Sequence, residues 1–204
     1  MKKIILPLIA MLFATLTNGQ AWNYEWALGI GSAEDDDDGV IVAVDSEDNA
    51  YMAIEYEGAL SIGGSDYPAP ADNGRDVLVV KISSEGDVLW SGSIAGDGSA
   101  NSAFNGDRVN AIHVDNDDNV ILIGNVGMNG TVFGASNGLV DARNYIIKIA
   151  SDGNLLWQVY ADDDYLNDEL TTLTSDADGN IYVAGRTDDF AGNIYSIGGT
   201  DINS

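Results

Sequence analysis

Three short loops carry the residues whose chemistry is most easily named. Asp45, Glu47 and Asn49 alternate in the first, Asp115, Asp117 and Asn119 in the second, and Asp176, Asp178 and Asn180 in the third. Oxygen side chains at every second position of a tight loop can converge on calcium, which takes six to eight oxygen ligands. These nine residues are the candidate metal ligands. A complete EF-hand loop is excluded, because its glycine position holds Ala50, Val120 and Ile181 and its closing glutamate position holds Tyr56, Val126 and Thr187. The simpler alternative is that Asp and Asn cap their own turns by bonding nearby backbone. Three oxygens per loop fall short of a calcium shell, which favours capping.

Other chemistry is sparse. Two further acidic runs, residues 35–38 and 162–164, precede the first strand of a copy; they read as solvated loops, with ion binding as the alternative. His113 is the only histidine and sits between Ile112 and Val114, so it reads as a strand residue rather than a general base. There is no cysteine, which excludes disulfides, thiolate metal sites and a cysteine nucleophile. No Gly-x-Ser-x-Gly elbow and no phosphate loop is present. The expectation is a protein with no catalytic residues, no cofactor, and calcium as the one ion its turns could hold.

These loops recur because the chain repeats itself. Residues 44–56 (VDSEDNAYMAIEY), 114–126 (VDNDDNVILIGNV) and 175–187 (SDADGNIYVAGRT) align, each an acidic turn ending in Asn before an apolar strand. Downstream, residues 75–90 (RDVLVVKISSEGDVLW) align with 143–157 (RNYIIKIASDGNLLW), matching Lys81 with Lys148 and Trp90 with Trp157. A weaker match links LSIGGSD at 60–66 with YSIGGTD at 195–201. Copies are spaced by about 60 to 70 residues, in the range of propellers and arrays.

Each complete copy contains four strand candidates: residues 40–44, 50–56, 77–82 and 88–94, then 109–114, 120–126, 145–149 and 155–160. All are rich in Val, Ile and Tyr and bounded by Asp, Asn, Gly and Ser. Four antiparallel strands form the unit of a propeller blade. The predicted fold is therefore all-β: a partial β-propeller of about two and a half four-stranded antiparallel blades, spanning residues 22–204. Blade 1 covers 39–98, blade 2 covers 107–163, and a truncated blade 3 covers 169–204. Residues 22–31, with Trp26, are expected to supply a ring-closing outer strand. Trp90 and Trp157 are expected to fill the space between sheets. Arg75, Lys81, Arg143 and Lys148 are expected to form exposed ion pairs within a blade, each contributing about 0 to 1 kcal/mol. The divergent segments 101–106 and 127–137 are the expected contact loops.

The N-terminus reads as an export signal: Lys2 and Lys3, an apolar run over residues 4–16, then small residues up to Gly19, with cleavage expected after Gly19 or Ala21. The run is too short for a membrane span. Loss of both signal lysines leaves six basic against 33 acidic residues, a formal charge of −27. That balance argues against nucleic acid and anionic membranes, and permits cations or basic partners.

The string D-x-x-(D/G)-N followed by an apolar strand, then D-x-x-V-x-K-I-x-x-x-G-x-x-L-W, resembles the bacterial β-propeller repeat family often called SBBP. Pyrroloquinoline-quinone-type propeller repeats, which also end in Gly-x-x-L-W, are the second resemblance. The first implies a secreted or cell-surface bacterial protein with no shared catalytic residues. The third copy stops before its lysine and tryptophan strands, so the missing blades are expected either in a longer chain or through self-association. The expected function is a structural or binding scaffold for a protein or glycan. The alternative is a carbohydrate-active hydrolase or lyase working through carboxylates.

Overall fold

A computed structural model describes residues 26–32, 38–71, 74–96, 106–139, 143–161, 169–186, 195–197 and 200–202. The expected signal peptide, residues 22–25, Asp35 to Asp37, residues 101–105 and the run at 162–164 lie outside the described residues. Seventeen strands follow in order: β1 Gly31–Ser32, β2 Asp38–Val44, β3 Ala50–Tyr56, β4 Leu60–Ile62, β5 Ser65–Tyr67, β6 Asp76–Ile82, β7 Val88–Ala95, β8 Arg108–Val114, β9 Val120–Val126, β10 Thr131–Val132, β11 Ala135–Ser136, β12 Arg143–Ile149, β13 Leu155–Tyr160, β14 Glu169–Ser175, β15 Ile181–Arg186, β16 Tyr195–Ile197 and β17 Thr200–Ile202. No helix occurs among the described residues.

The chain is all-β, and its sheets are antiparallel. Strands β2, β3, β6 and β7 form the first four-stranded blade, and β8, β9, β12 and β13 the second. β14 and β15 start a third. All eight strands expected in the first two copies are present. The first strands β2, β8 and β14 of successive blades lie side by side, as in a partial propeller. The central strands β6 and β9 are buried along their whole length. Apolar runs such as VLVV and VILI serve this position, since both faces of a central strand are covered by neighbouring layers. The outer strands β7 and β13 instead alternate, leaving Leu89 and Leu156 exposed at matching places.

Three apolar clusters record the stacking. One joins blade 1 to blade 2 through Tyr51, Ala53, Val77 and Val79 on one side and Val109, Leu122, Tyr145 and Ile147 on the other. Another joins blade 2 to the third pair through Ile121, Ile123, Ile146 and Leu170, with Trp157 packed against them. The remaining face of blade 1 holds Ile54, Leu78, Val80 and Ile82, covered by Leu28 and Ile30 of the N-terminal segment and by β4. Trp26 bonds the Ser84 carbonyl (2.9 Å) and Trp90 the Ser151 carbonyl (3.0 Å). Each tryptophan therefore reaches the turn between the third and fourth strands of the following sheet. The tryptophans thus bridge layers as expected, and the N-terminal segment lies against blade 1.

One expectation is corrected. Residues 127–137 are not a divergent insertion. They contain the hairpin β10–β11, which adds to the outer strand β7 of the preceding blade, pairing Thr131 with Ala95 and Val132 with Ile94. The hairpin β4–β5 does the same to β1, pairing Ser61 with Gly31. LSIGGSD therefore has a counterpart in TVFGAS, and β16–β17 is the third copy of this hairpin. Asn137 fixes β10–β11 internally: its side chain accepts from the Gly130 and Leu139 amides (both 3.1 Å) and donates to the Gly127 carbonyl (2.8 Å).

The hairpins differ at their tips for a packing reason. Both are two-residue turns with positive φ throughout, Gly63 (57°) and Gly64 (82°) in one, Phe133 (50°) and Gly134 (76°) in the other. A bulky residue in the left-handed region is unusual. Phe133 is held there because its ring covers Gly92, where an added Cβ would lie 2.2 Å from it. At the earlier hairpin the sizes are exchanged: Leu28 occupies the place of Gly92, and Gly63 that of Phe133, where a Cβ would meet Val88 at 3.0 Å and lie in ordinary contact with Leu28 at 3.8 Å.

Candidate functional site

All five tight turns that join first to second and third to fourth strands project from one end of the blades, because antiparallel order alternates the ends. That end gathers Asp45, Glu47, Asp48, Glu85, Asp87, Asp115, Asp117, Asp118, Asp152, Asp176 and Asp178. The hairpins leave from the opposite end.

Asp45 shows what the leading aspartate does. Its Oδ1 accepts the Glu47 amide (3.0 Å) and the Asn49 amide (2.8 Å), and its Oδ2 accepts the Asn49 side-chain amide (3.0 Å). Lys81 Nζ completes the set at 2.9 Å from Oδ2. Asp115 repeats the arrangement with the amides of Asp117 (2.9 Å) and Asn119 (3.0 Å) and with Lys148 Nζ at 2.6 Å. Asp176 has the same turn bonds, from Asp178 (3.0 Å), Asn180 (2.9 Å) and the Asn180 side chain (2.9 Å). Its Oδ2 takes the Tyr182 hydroxyl, at 2.9 Å, in place of a lysine. Of the nine candidate ligands, the structure thus joins the three leading aspartates and the three closing asparagines as caps. Glu47 Oε2 accepts a long bond from Asn49 Nδ2 (3.5 Å); Asp117 and Asp178 contribute only their backbone amides to the turn bonds. Among the described residues, no group of three or more His, Asp or Glu side chains converges as a metal site.

The Asp45–Lys81 pair is buried, and half-buried Lys148 meets a buried Asp115, which corrects the expectation of exposed pairs. Asp45 and Lys81 are 7% and 5% exposed. Burial opposes ionisation of Asp45, but bonds from Asn49, Lys81 and the turn amides outweigh it and hold the carboxyl below its usual range. Asp115 is lowered in the same way, with burial again overcome by Lys148 and Asn119. Burial also opposes the charge on Lys81, but Tyr51 and Asp45 overcome it and push that group up. A buried pair of this kind fixes geometry more surely than it adds net stability. The signal in the sequence was present, since each lysine recurs with its aspartate, but burial of both partners is a property of the stacked layers.

Other functional contacts lie at the seams between layers and had no sequence signature. Asp118, in the left-handed region (φ 58°), accepts the Ser46 amide (2.8 Å) and hydroxyl (2.7 Å) from the preceding turn. The Tyr51 hydroxyl bonds the Asp118 carbonyl at 2.8 Å. Glu55 crosses the same seam: it accepts the Val109 amide (3.0 Å) and Arg75 Nη1 (3.3 Å). Burial raises the Glu55 carboxyl above its usual value despite these partners. Asp107 accepts the amides of Gly96 and Gly127, tying the end of β7 to the end of β9. Gly179 stands where Asp118 would be in the third turn, so the second seam is latched differently. His113 Nε2 lies 2.9 Å from the Ser175 hydroxyl and accepts the Ser175 amide at 3.2 Å, and Asn110 donates to the Leu170 carbonyl at 2.7 Å. His113 is therefore a strand residue as expected, with a joining role that its sequence neighbours did not indicate.

Comparison with protein-family models, curated proteins and solved structures returned no match.

Proposed function

We propose that this protein is a non-enzymatic scaffold of stacked β-sheet repeats, exported to the cell surface or medium of a bacterium, where its acidic end meets a protein or glycan partner. The observation that carries the reading is the use of the repeated polar residues. The side chains shared between copies (Asp45 and Asp115, Lys81 and Lys148, Trp26 and Trp90) are bonded to their own turns or to the next sheet. Catalytic groups would need residues unique to one copy, and fold alone does not supply them. The apolar run after Lys2 and Lys3 supports export, and the resemblance to SBBP repeats supports a surface setting. Nucleic acid and bilayer insertion fit the charge poorly.

The turn carboxylates act as caps in this reading, and calcium would have to compete with Lys81 and Lys148 for them. Two measurements test it. Expression in a bacterial host with N-terminal sequencing of the exported chain should give a start at Gln20 or Trp22; retention of Met1 in the cytoplasm sinks the export claim. Incubation with a panel of acidic and neutral polysaccharides should give no new reducing ends. Turnover abolished by changing one carboxylate pair would establish the hydrolase or lyase alternative instead.

A further inference from the structure

We propose that Arg108, at the start of β8, is a receptor for the carboxylate of a small monoanionic ligand. This adds a binding site to the scaffold reading, at the end of the blades opposite the acidic turns.

The other copies show what is unusual about this residue. Asp38, Arg108 and Glu169 open the first strands of the three sheets. They face Glu55, Asn125 and Arg186 of the second strands. Glu169 is matched by Arg186 at 3.1 Å, and Glu55 by Arg75 at 3.3 Å. Lys81 and Lys148 also meet carboxylates. Arg108 faces a neutral amide instead. Asn125 is buried and donates its side-chain nitrogen to Asn144 Oδ1 at 2.9 Å. Among the described residues Arg108 has no ion pair, and its Nε is shielded from solvent without a hydrogen-bond acceptor.

Such a group is costly to keep. A guanidinium holds its proton, so burial is not relieved by neutralisation. The chain has 33 acidic against eight basic residues, yet none of the described acids is bonded to this one. Glu55 senses the Arg108 charge, but its oxygens accept the Val109 amide and Arg75. The main chain here is fixed. The fully buried Tyr145 sends its hydroxyl to the Arg108 carbonyl at 2.9 Å, and Gly124 leaves no room for a Cβ against that oxygen. A planar fork on a rigid base matches a carboxylate through two parallel bonds. The formal charge of −25 repels polyanions, so the ligand that fits carries one carboxylate on a neutral body.

The probe is D-galacturonate, with D-galactose as its neutral twin, added to the full chain in calorimetric titration and in thermal unfolding. Galacturonate should bind and raise the melting temperature by mass action, and galactose should do neither. Arg108→Met should weaken binding about tenfold, as loss of a charge-assisted contact does. Without ligand, Arg108→Met should melt no lower than the parent, because it removes a charge that has no partner. A clearly lower melting temperature would show that a carboxylate of the chain itself fills the site, and would overturn the proposal. So would absence of binding, equal binding of galactose, or equal binding to Arg108→Met. Export and polysaccharide turnover do not involve Arg108, so failure here is separable from failure of the scaffold reading.

Discussion

Phe133 and Gly92 are a size-matched pair across two repeats: the ring of one fills the space that any side chain on the other would need. Phe133 also lies edge-on to Trp90, with ring centres 6.0 Å apart. The matching pair Leu28 and Gly63 has the large and small members exchanged.

Exchange of the sizes should therefore be tolerated only when made on both sides. Gly92→Leu alone places atoms inside the Phe133 ring and should cost at least about 2 kcal/mol. Phe133→Gly alone should cost about 1 to 3 kcal/mol, a half-buried ring lost against some relief of left-handed strain. The double variant should recover to within about 1 kcal/mol of the parent. Urea unfolding of the four proteins measures the coupling; strictly additive losses would refute the pairing.

Lys81→Met leaves the Asp45 carboxylate buried without its counter-charge. Such a loss typically costs about 3 to 5 kcal/mol. Lys148→Met should cost less, because the Lys148 side chain is 16% exposed against 7% for Lys81. Thermal or urea unfolding checks both the size and the order of the two effects.

Acid should unfold the protein through these same turns. Asp45 and Asp115 have folded-state values below 3.8. Their contribution is complete above the unfolded value and is lost as pH falls through the folded one, so it disappears below about pH 4. Glu55 has the opposite sign: its raised carboxyl favours the protonated folded state, and its contribution weakens as pH rises above about 4.5. Asp45→Asn should lower stability at neutral pH and flatten the acid limb. Unfolding free energies from about pH 7 to about pH 2 test this; an unchanged acid limb would count against it.

The layers were legible in the sequence because their signals are local. Recurring Asp-x-x-x-Asn turns and Val-, Ile- and Tyr-rich runs placed all eight strands of the first two blades within a residue or two. The β10–β11 hairpin was not legible, since Phe133 replaces the glycine that marks its counterpart, and the reason sits at Gly92, in a different repeat. The burial of Lys81 was missed for a related cause: composition shows a charge beside acids, whereas its solvent exposure is decided by the blade stacked upon it. Asp118, Glu55 and His113 act across seams, which no single repeat contains.

His113→Phe should loosen the second seam alone. The Ser175 amide would lose its acceptor, at a cost of about 1 to 2 kcal/mol. Hydrogen exchange should quicken at Ser175 and leave the Ser46 amide, held by Asp118, unchanged. Equal protection at Ser175 in both proteins would show that the histidine does not latch the seam.

The borrowed edge of each hairpin gives the chain a direction of assembly. β10–β11 has nothing to attach to until β7 exists, and β7 belongs to the portion of the chain synthesised earlier. A nascent polypeptide leaving the ribosome or a membrane pore N-terminus first would thus meet each docking edge already built. Construction in that order resembles shingling a roof, where every course is nailed over the one laid before it, and a defect in an early course would spread only toward the later ones.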